Sequence, residues 1–212
     1  MAGHQSARHQ AIGQGLLVLG AMLFAIGVAH AQTDAWAASY RLESTGQFAE
    51  AQAQIAALAA RQPANEFAVI RSAWLAYLQG KYGEAETSYL KARQLNPRSV
   101  EALLGLMLPQ MAQYRWLDAI ETGRKVLAEN AWDYTAHVRI MACEEALSRW
   151  DALAKHAAEV STRFPADATA LVYWARAESA LRNTSKARQL YTQVLERFPS
   201  HAEAAKYLKG AS

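Results

Sequence analysis

Beyond its first 31 residues the chain carries few side chains that could do chemistry: three histidines, His137, His156 and His201, one cysteine, Cys143, and one adjacent pair of carboxylates, Glu144 and Glu145. The histidines lie 19 and 45 residues apart, so no two of them share a helix face at the i,i+4 spacing that helical metal ligation uses. Adjacent carboxylates on a helix point to different faces, which suits a solvated surface better than a general acid and base working on one bond. There is no glycine-rich phosphate loop and no serine in a nucleophile elbow. Cys143 has no partner for an internal disulfide, and in its apolar setting it reads as a small packed hydrophobe. The expectation is therefore a protein that is no enzyme, with no catalytic residue, no metal and no cofactor. The Asn183-Thr184-Ser185 sequon reads as accidental.

The elements that must position these side chains come from one unit of 34 residues, clearest from Glu66 to Ser99. Two amphipathic runs, Phe67 to Gln79 and Lys81 to Asn96, meet at Gly80, and Pro97 stops the second. Pro63, Pro97, Pro165 and Pro199 share one register whose middle slot holds Ala131. Ala51, Ala85, Ala119, Leu153 and Ala187 form a second column, and Phe48, Tyr82, Trp116, Trp150 and Thr184 a third. Three columns at one offset mark a repeat array, in which each unit buries its apolar face on its neighbours.

This period and these residues resemble the tetratricopeptide repeat family. Gly80-Lys81-Tyr82-Gly83-Glu84-Ala85 is similar to that family's turn into its second helix, with Tyr89, Ala92 and Pro97 at the expected offsets. The resemblance covers five repeats, 32–65, 66–99, 100–133, 134–167 and 168–201, followed by a capping helix and tail, 202–212. It implies an all-α fold, a right-handed superhelical solenoid of helix-turn-helix repeats whose first helices line a concave surface. Departures from the pattern carry expectations of their own. Tyr114 takes the turn-glycine slot of repeat three, and Asn183 with Thr184 replaces the glycine-aromatic turn of repeat five. Pro109 inside the first helix of repeat three predicts a kink, because it removes one backbone hydrogen bond and its ring pushes on the preceding turn. Leu153, where the other repeats have alanine, predicts a wider helix crossing in repeat four.

Residues 1–31 stand outside the repeats. Arg8 precedes an apolar run from about Ala11 to Ala29, and Ala29-His30-Ala31 has the small-x-small form of a signal-peptide cleavage site. The expected mature chain starts at Gln32, exported and periplasmic, with no integral membrane segment once the leader is removed; an uncleaved inner-membrane anchor is the alternative. Net charge is +3, and Arg8 is the leader's only charged residue, so about +2 remains with both signs dispersed. That balance excludes nucleic acid, which asks for a clustered basic face.

What remains is a surface. Helical phase puts Trp36 and Tyr40 of repeat one, Phe67, Ile70, Trp74 and Tyr77 of repeat two, and Leu104, Leu108 and Met111 of repeat three on the concave face. Repeats four and five offer Val138, Ala142, Glu145, Val172, Arg176 and Ser179 there, smaller and mixed. Only Arg176 could serve a clamp for a peptide's terminal carboxylate, so that mode is not expected. An aromatic groove suits an apolar segment of a protein or peptide partner. A second copy in a homo-oligomer and a polysaccharide stacking on Trp and Tyr are the alternatives. The functional expectation is a non-enzymatic scaffold or adaptor for protein–protein interaction, with a glycan-binding accessory of polysaccharide export as the runner-up.

Overall fold

The computed structural model describes residues 34–210, and every regular element among them is a helix. The leader and its cleavage lie outside the described residues. Helix α1 runs over 34–44. It is followed by α2 (Phe48–Arg61), α3 (Glu66–Leu78), α4 (Tyr82–Leu95), α5 (Val100–Ala112), α6 (Trp116–Glu129), α7 (Tyr134–Ala146), α8 (Trp150–Arg163), α9 (Thr169–Ala180), α10 (Thr184–Arg197) and α11 (Ala202–Gly210). From α2 onward each helix packs on the next in sequence, and α3, α5, α7 and α9 also touch one another in succession. The result is a two-layer solenoid in which odd-numbered helices form one continuous wall.

Local chemistry repeats with the same period. Gly46, Gly80, Tyr114, Ser148 and Arg182 all have positive φ, at 78, 74, 60, 53 and 63°. In each turn the following amide reaches back to the helix, as in Gln47 N to the Leu42 carbonyl at 2.9 Å and Asn183 N to the Glu178 carbonyl at 2.8 Å. This is the Schellman closure, which needs a left-handed residue whatever its side chain. Arg182, not Asn183, therefore occupies the glycine slot of repeat five. Asn65, Ser99, Asp133, Asp167 and His201 form a column of side-chain caps, each accepting the amide of Ala68, Ala102, Ala136, Ala170 or Ala204. All five alanines are fully buried, so the caps hold the first helices where only a methyl fits.

Repeat three absorbs its irregular residues. α5 runs as one helix through Pro109, which is buried. The Arg139 guanidinium of α7 donates to the Leu104 carbonyl beside the turn that Pro109 disturbs. Gly105 is required by close approach: a Cβ there would stand 2.1 Å from the ring of Tyr89, itself buried. Repeat four carries the wider crossing: fully buried Leu153 separates α7 from α8, which pack less closely than α3 on α4, α5 on α6 or α9 on α10.

Candidate partner-binding groove

α1, α3 and α5 carry the nine residues assigned to the groove, and their side chains are buried at the root and open at the face. Ile70 and Tyr77 rest on the cluster formed by Ala73, Ala76, Ala85, Tyr89 and Leu106. Leu104 and Met111 rest on the cluster around Met107 and Ile140, and Leu108 is half-buried. The outer end is the most open, with Phe67 55% and Tyr40 49% exposed. Trp36 and Phe67 meet with ring centroids 4.8 Å apart, while Trp74 and Tyr77 stack at 5.6 Å and 28°. One aromatic pair thus bridges α1 and α3, and the other lies on α3 alone.

What fixes them is a polar cluster that the groove residues alone do not reveal. Arg71, only 5% exposed, donates from Nε and Nη2 to Ser39 Oγ at 3.2 and 3.1 Å and from Nη1 to the Glu43 carboxylate. Its guanidinium also lies 3.9 Å from the centroid of the Tyr40 ring. The other oxygen of Glu43 accepts the Trp74 indole N–H at 2.6 Å. A buried charge pair costs much in desolvation and returns it only with such complete geometry, so its yield is register: α3 can sit on α1 in one way. Trp74 then has no free donor, and what it offers a ligand is ring face. The available signal is Arg71 itself, the one charged residue in the interior of α3.

At the other end the guanidinium of Arg176 is spoken for. It donates twice to Glu203 of α11, with Nε at 2.9 Å, and its Nη1 stands 3.3 Å from both oxygens of Glu145 on α7. The hydrogen bond to Glu203 is the largest cause raising the guanidinium's pKa, and the same bond lowers that of the Glu203 carboxyl. Tyr191 adds a third donor to Glu203 at 2.7 Å. Glu203 thus locks the cap rather than presenting a charge to water. A cavity of about 360 Å³ beside Arg176 is lined by Thr169, Val172, Tyr173, Phe198 and His201.

The sequence-distant histidines are brought together. His137 Nδ1 lies 2.8 Å from His156 Nε2, and His156 Nδ1 lies 2.9 Å from Glu144 Oε2. Glu144 is buried, not solvated, because its face of α7 meets His156 of α8, while Glu145 pairs with Arg176 of α9. Cys143 is fully buried, and burial pushes its thiol up to about 11, out of the reactive range. Among the described residues no group of three or more His, Cys, Asp or Glu is arranged to hold a metal ion, and no helix is long and apolar enough to cross a membrane.

Residues 169–201 match the sequence profile of the tetratricopeptide repeat. No curated protein matches the chain in sequence. Among solved structures, a tetratricopeptide repeat protein from Parabacteroides merdae superposes with a TM-score of 0.74 at 15% identity, over 85% of this chain and 72% of that one. PilW, described as a widely conserved type IV pilus biogenesis factor, gives 0.70 at 16% identity, over 85% and 87%. YrrB, described as a TPR protein with an unusual peptide-binding site, gives 0.67 at 16% identity, over 82% and 90%. At these identities the likeness is one of fold. With its 34-residue columns, its stacked helix hairpins and the match of its fifth repeat, the chain has the fold of a tetratricopeptide repeat solenoid, and residues 169–201 are a tetratricopeptide repeat.

Proposed function

We propose that the protein is a non-enzymatic scaffold that works in the periplasm and captures another protein through the apolar groove of its first three repeats. The observation that carries this reading is the aromatic face of α1 and α3, open to solvent yet held rigid from behind by Arg71 and Glu43. Contiguous exposed apolar surface on a fixed backbone is what a docking site requires, since little ordering entropy is lost on binding. An amphipathic helix or an extended apolar segment fits it, giving rings at alternate turns something to cover. The described peptide-binding site of YrrB supports the class of ligand, and the leader-like residues 1–31 support the compartment. The engaged Arg176 supports the exclusion of a carboxylate clamp.

The test is photo-crosslinking in the native host from a reactive residue at position 67, which is 55% exposed. The expected product is a discrete adduct that yields peptides of one second protein and disappears when Trp74→Ala is introduced. Self-links alone would replace this reading by self-assembly. Adducts that resist protease would replace it by a glycan ligand.

A further inference from the structure

Between α7 and α8, two imidazoles join a backbone carbonyl to a carboxylate without a gap; His137 and Glu144 are buried and His156 partly so. His137 Nε2 lies 3.1 Å from the Ala131 carbonyl oxygen, its Nδ1 2.8 Å from His156 Nε2, and His156 Nδ1 2.9 Å from Glu144 Oε2. His137 is 7% exposed and stands in the column where Val69, Leu103 and Leu171 are buried core. A packing position has been given to an imidazole.

The Ala131 contact fixes one proton, and the burial of His137, which favours its neutral ring, places the rest. A carbonyl only accepts, so His137 Nε2 carries hydrogen. In a neutral ring its Nδ1 then accepts, and His156 Nε2–H donates to it. The contact between His156 Nδ1 and Glu144 Oε2 needs one further proton. At this count every contact in the chain is satisfied. A proton added to His137 goes to Nδ1, where N–H would face N–H at 2.8 Å between rings whose centroids lie 5.1 Å apart. A buried donor left facing a donor loses its hydrogen bond and gains like-charge repulsion.

We infer that the His137–His156–Glu144 chain is an acid-sensitive latch that holds α8 on α7 near neutrality and releases it when His137 takes up a proton. The seam is suited to yield, because the crossing over Leu153 is the loosest of the described repeats compared above. Its release would move α7, which carries Val138 and Ala142 on the concave side.

The surrounding charges do not reverse the sign. Asp133 in the turn before α7, Glu159 of α8 and the Ala131 carbonyl favour a charged His137, and His156 of α8 opposes it. The Trp132 ring lies against His137 with centroids 5.4 Å apart, and the Arg163 guanidinium of α8 lies 5.8 Å from the centroid of that indole. Burial is the largest effect and holds His137 below the ordinary imidazole value. For a base depressed in the folded state, the stability is complete above the unfolded value of about 6.5 and is lost as pH falls through the folded one.

Amide hydrogen exchange on the full chain at pH 7.5 and 5.5, corrected for intrinsic exchange, tests the latch in wild type and His137→Leu. The leucine restores the residue of the neighbouring columns. The expected result is a loss of protection of about tenfold or more in α7 and α8 of wild type, the scale of one pKa unit, with α3 and α4 unchanged and no such loss in the variant. Retained protection in wild type, or an equal loss in the variant, overturns the proposal. If His137→Leu does not fold, imidazole 15N shifts of wild type decide: an Nε2–H ring titrating below pH 6.5 upholds the latch, and an Nδ1–H ring or an imidazolium at pH 7.5 overturns it.

Discussion

The indole N–H of Trp74 donates to Glu43 at 2.6 Å, tying the wall of the groove in repeat two to the last turn of the first helix of repeat one. The same carboxylate neutralises Arg71, so one side chain supports both the fold seam and the presentation of the aromatic face.

Glu43→Ala should therefore act on stability as well as on Trp74. It leaves the guanidinium of Arg71 buried without a counter-charge, and a loss of about 3 kcal/mol is expected. Urea unfolding followed by tryptophan fluorescence measures it. Arg71→Leu combined with Glu43→Leu should recover most of that loss, because the desolvation cost disappears with both charges.

Phe67→Ser separates binding from folding. The ring is more exposed than buried, so the unfolding midpoint should move by less than about 1 kcal/mol. Partner capture should fall about tenfold or more if the ring is an anchor of the interface. Trp74→Ala with Tyr77→Ala should abolish capture and keep helical content by circular dichroism. Loss of cooperative melting in that double variant would mark the two rings as core instead.

Gly105→Ala places a methyl inside the ring of Tyr89 and should destabilise by about 1–3 kcal/mol, the range for an overpacked core. Adding Tyr89→Leu should return part of this, a coupling that a double-mutant cycle reads directly.

Ser148→Gly relieves a left-handed residue in the turn of repeat four. A gain approaching about 1 kcal/mol is expected, the left-handed penalty less the entropy that glycine adds to the unfolded chain. Gly80→Ala should cost a similar amount, and thermal melts of the two variants should shift in opposite directions.

The cap has its own pH dependence. Arg176 holds the Glu203 carboxyl below its ordinary value, so docking of α11 is complete above the usual carboxylate range and is lost only as pH falls through the lowered one. Arg176→Gln should move that loss to higher pH. Exchange of the α11 amides between pH 3 and 6 checks the direction, and an unchanged profile would show that apolar contacts of Tyr207 and Leu208 hold the cap alone.

The sequence by itself determined the solenoid. The proline, alanine and aromatic columns fix helix length, turn position and stacking order, because a repeat must meet the same packing at the same register in every copy. Which residues of α1, α3 and α5 share one face of their helix follows from helical phase for the same reason. Side-chain direction around a helix is local information. What only the tertiary structure decided are the contacts between residues that the period holds apart. Glu43 meets Arg71 and Trp74, Arg176 meets Glu203 and Glu145, and His137 meets His156 and Glu144 across helix seams. Glu144 looked solvated beside Glu145 because adjacency on one helix says which way each points, and only the crossing of α8 says which of them it covers. Pro109 and Tyr114 broke the repeat's pattern in sequence, yet the neighbouring helices and the Schellman turn accommodate both. Polar partners are chosen by the depth and angle of each crossing, and those are set by all the side chains in the seam at once.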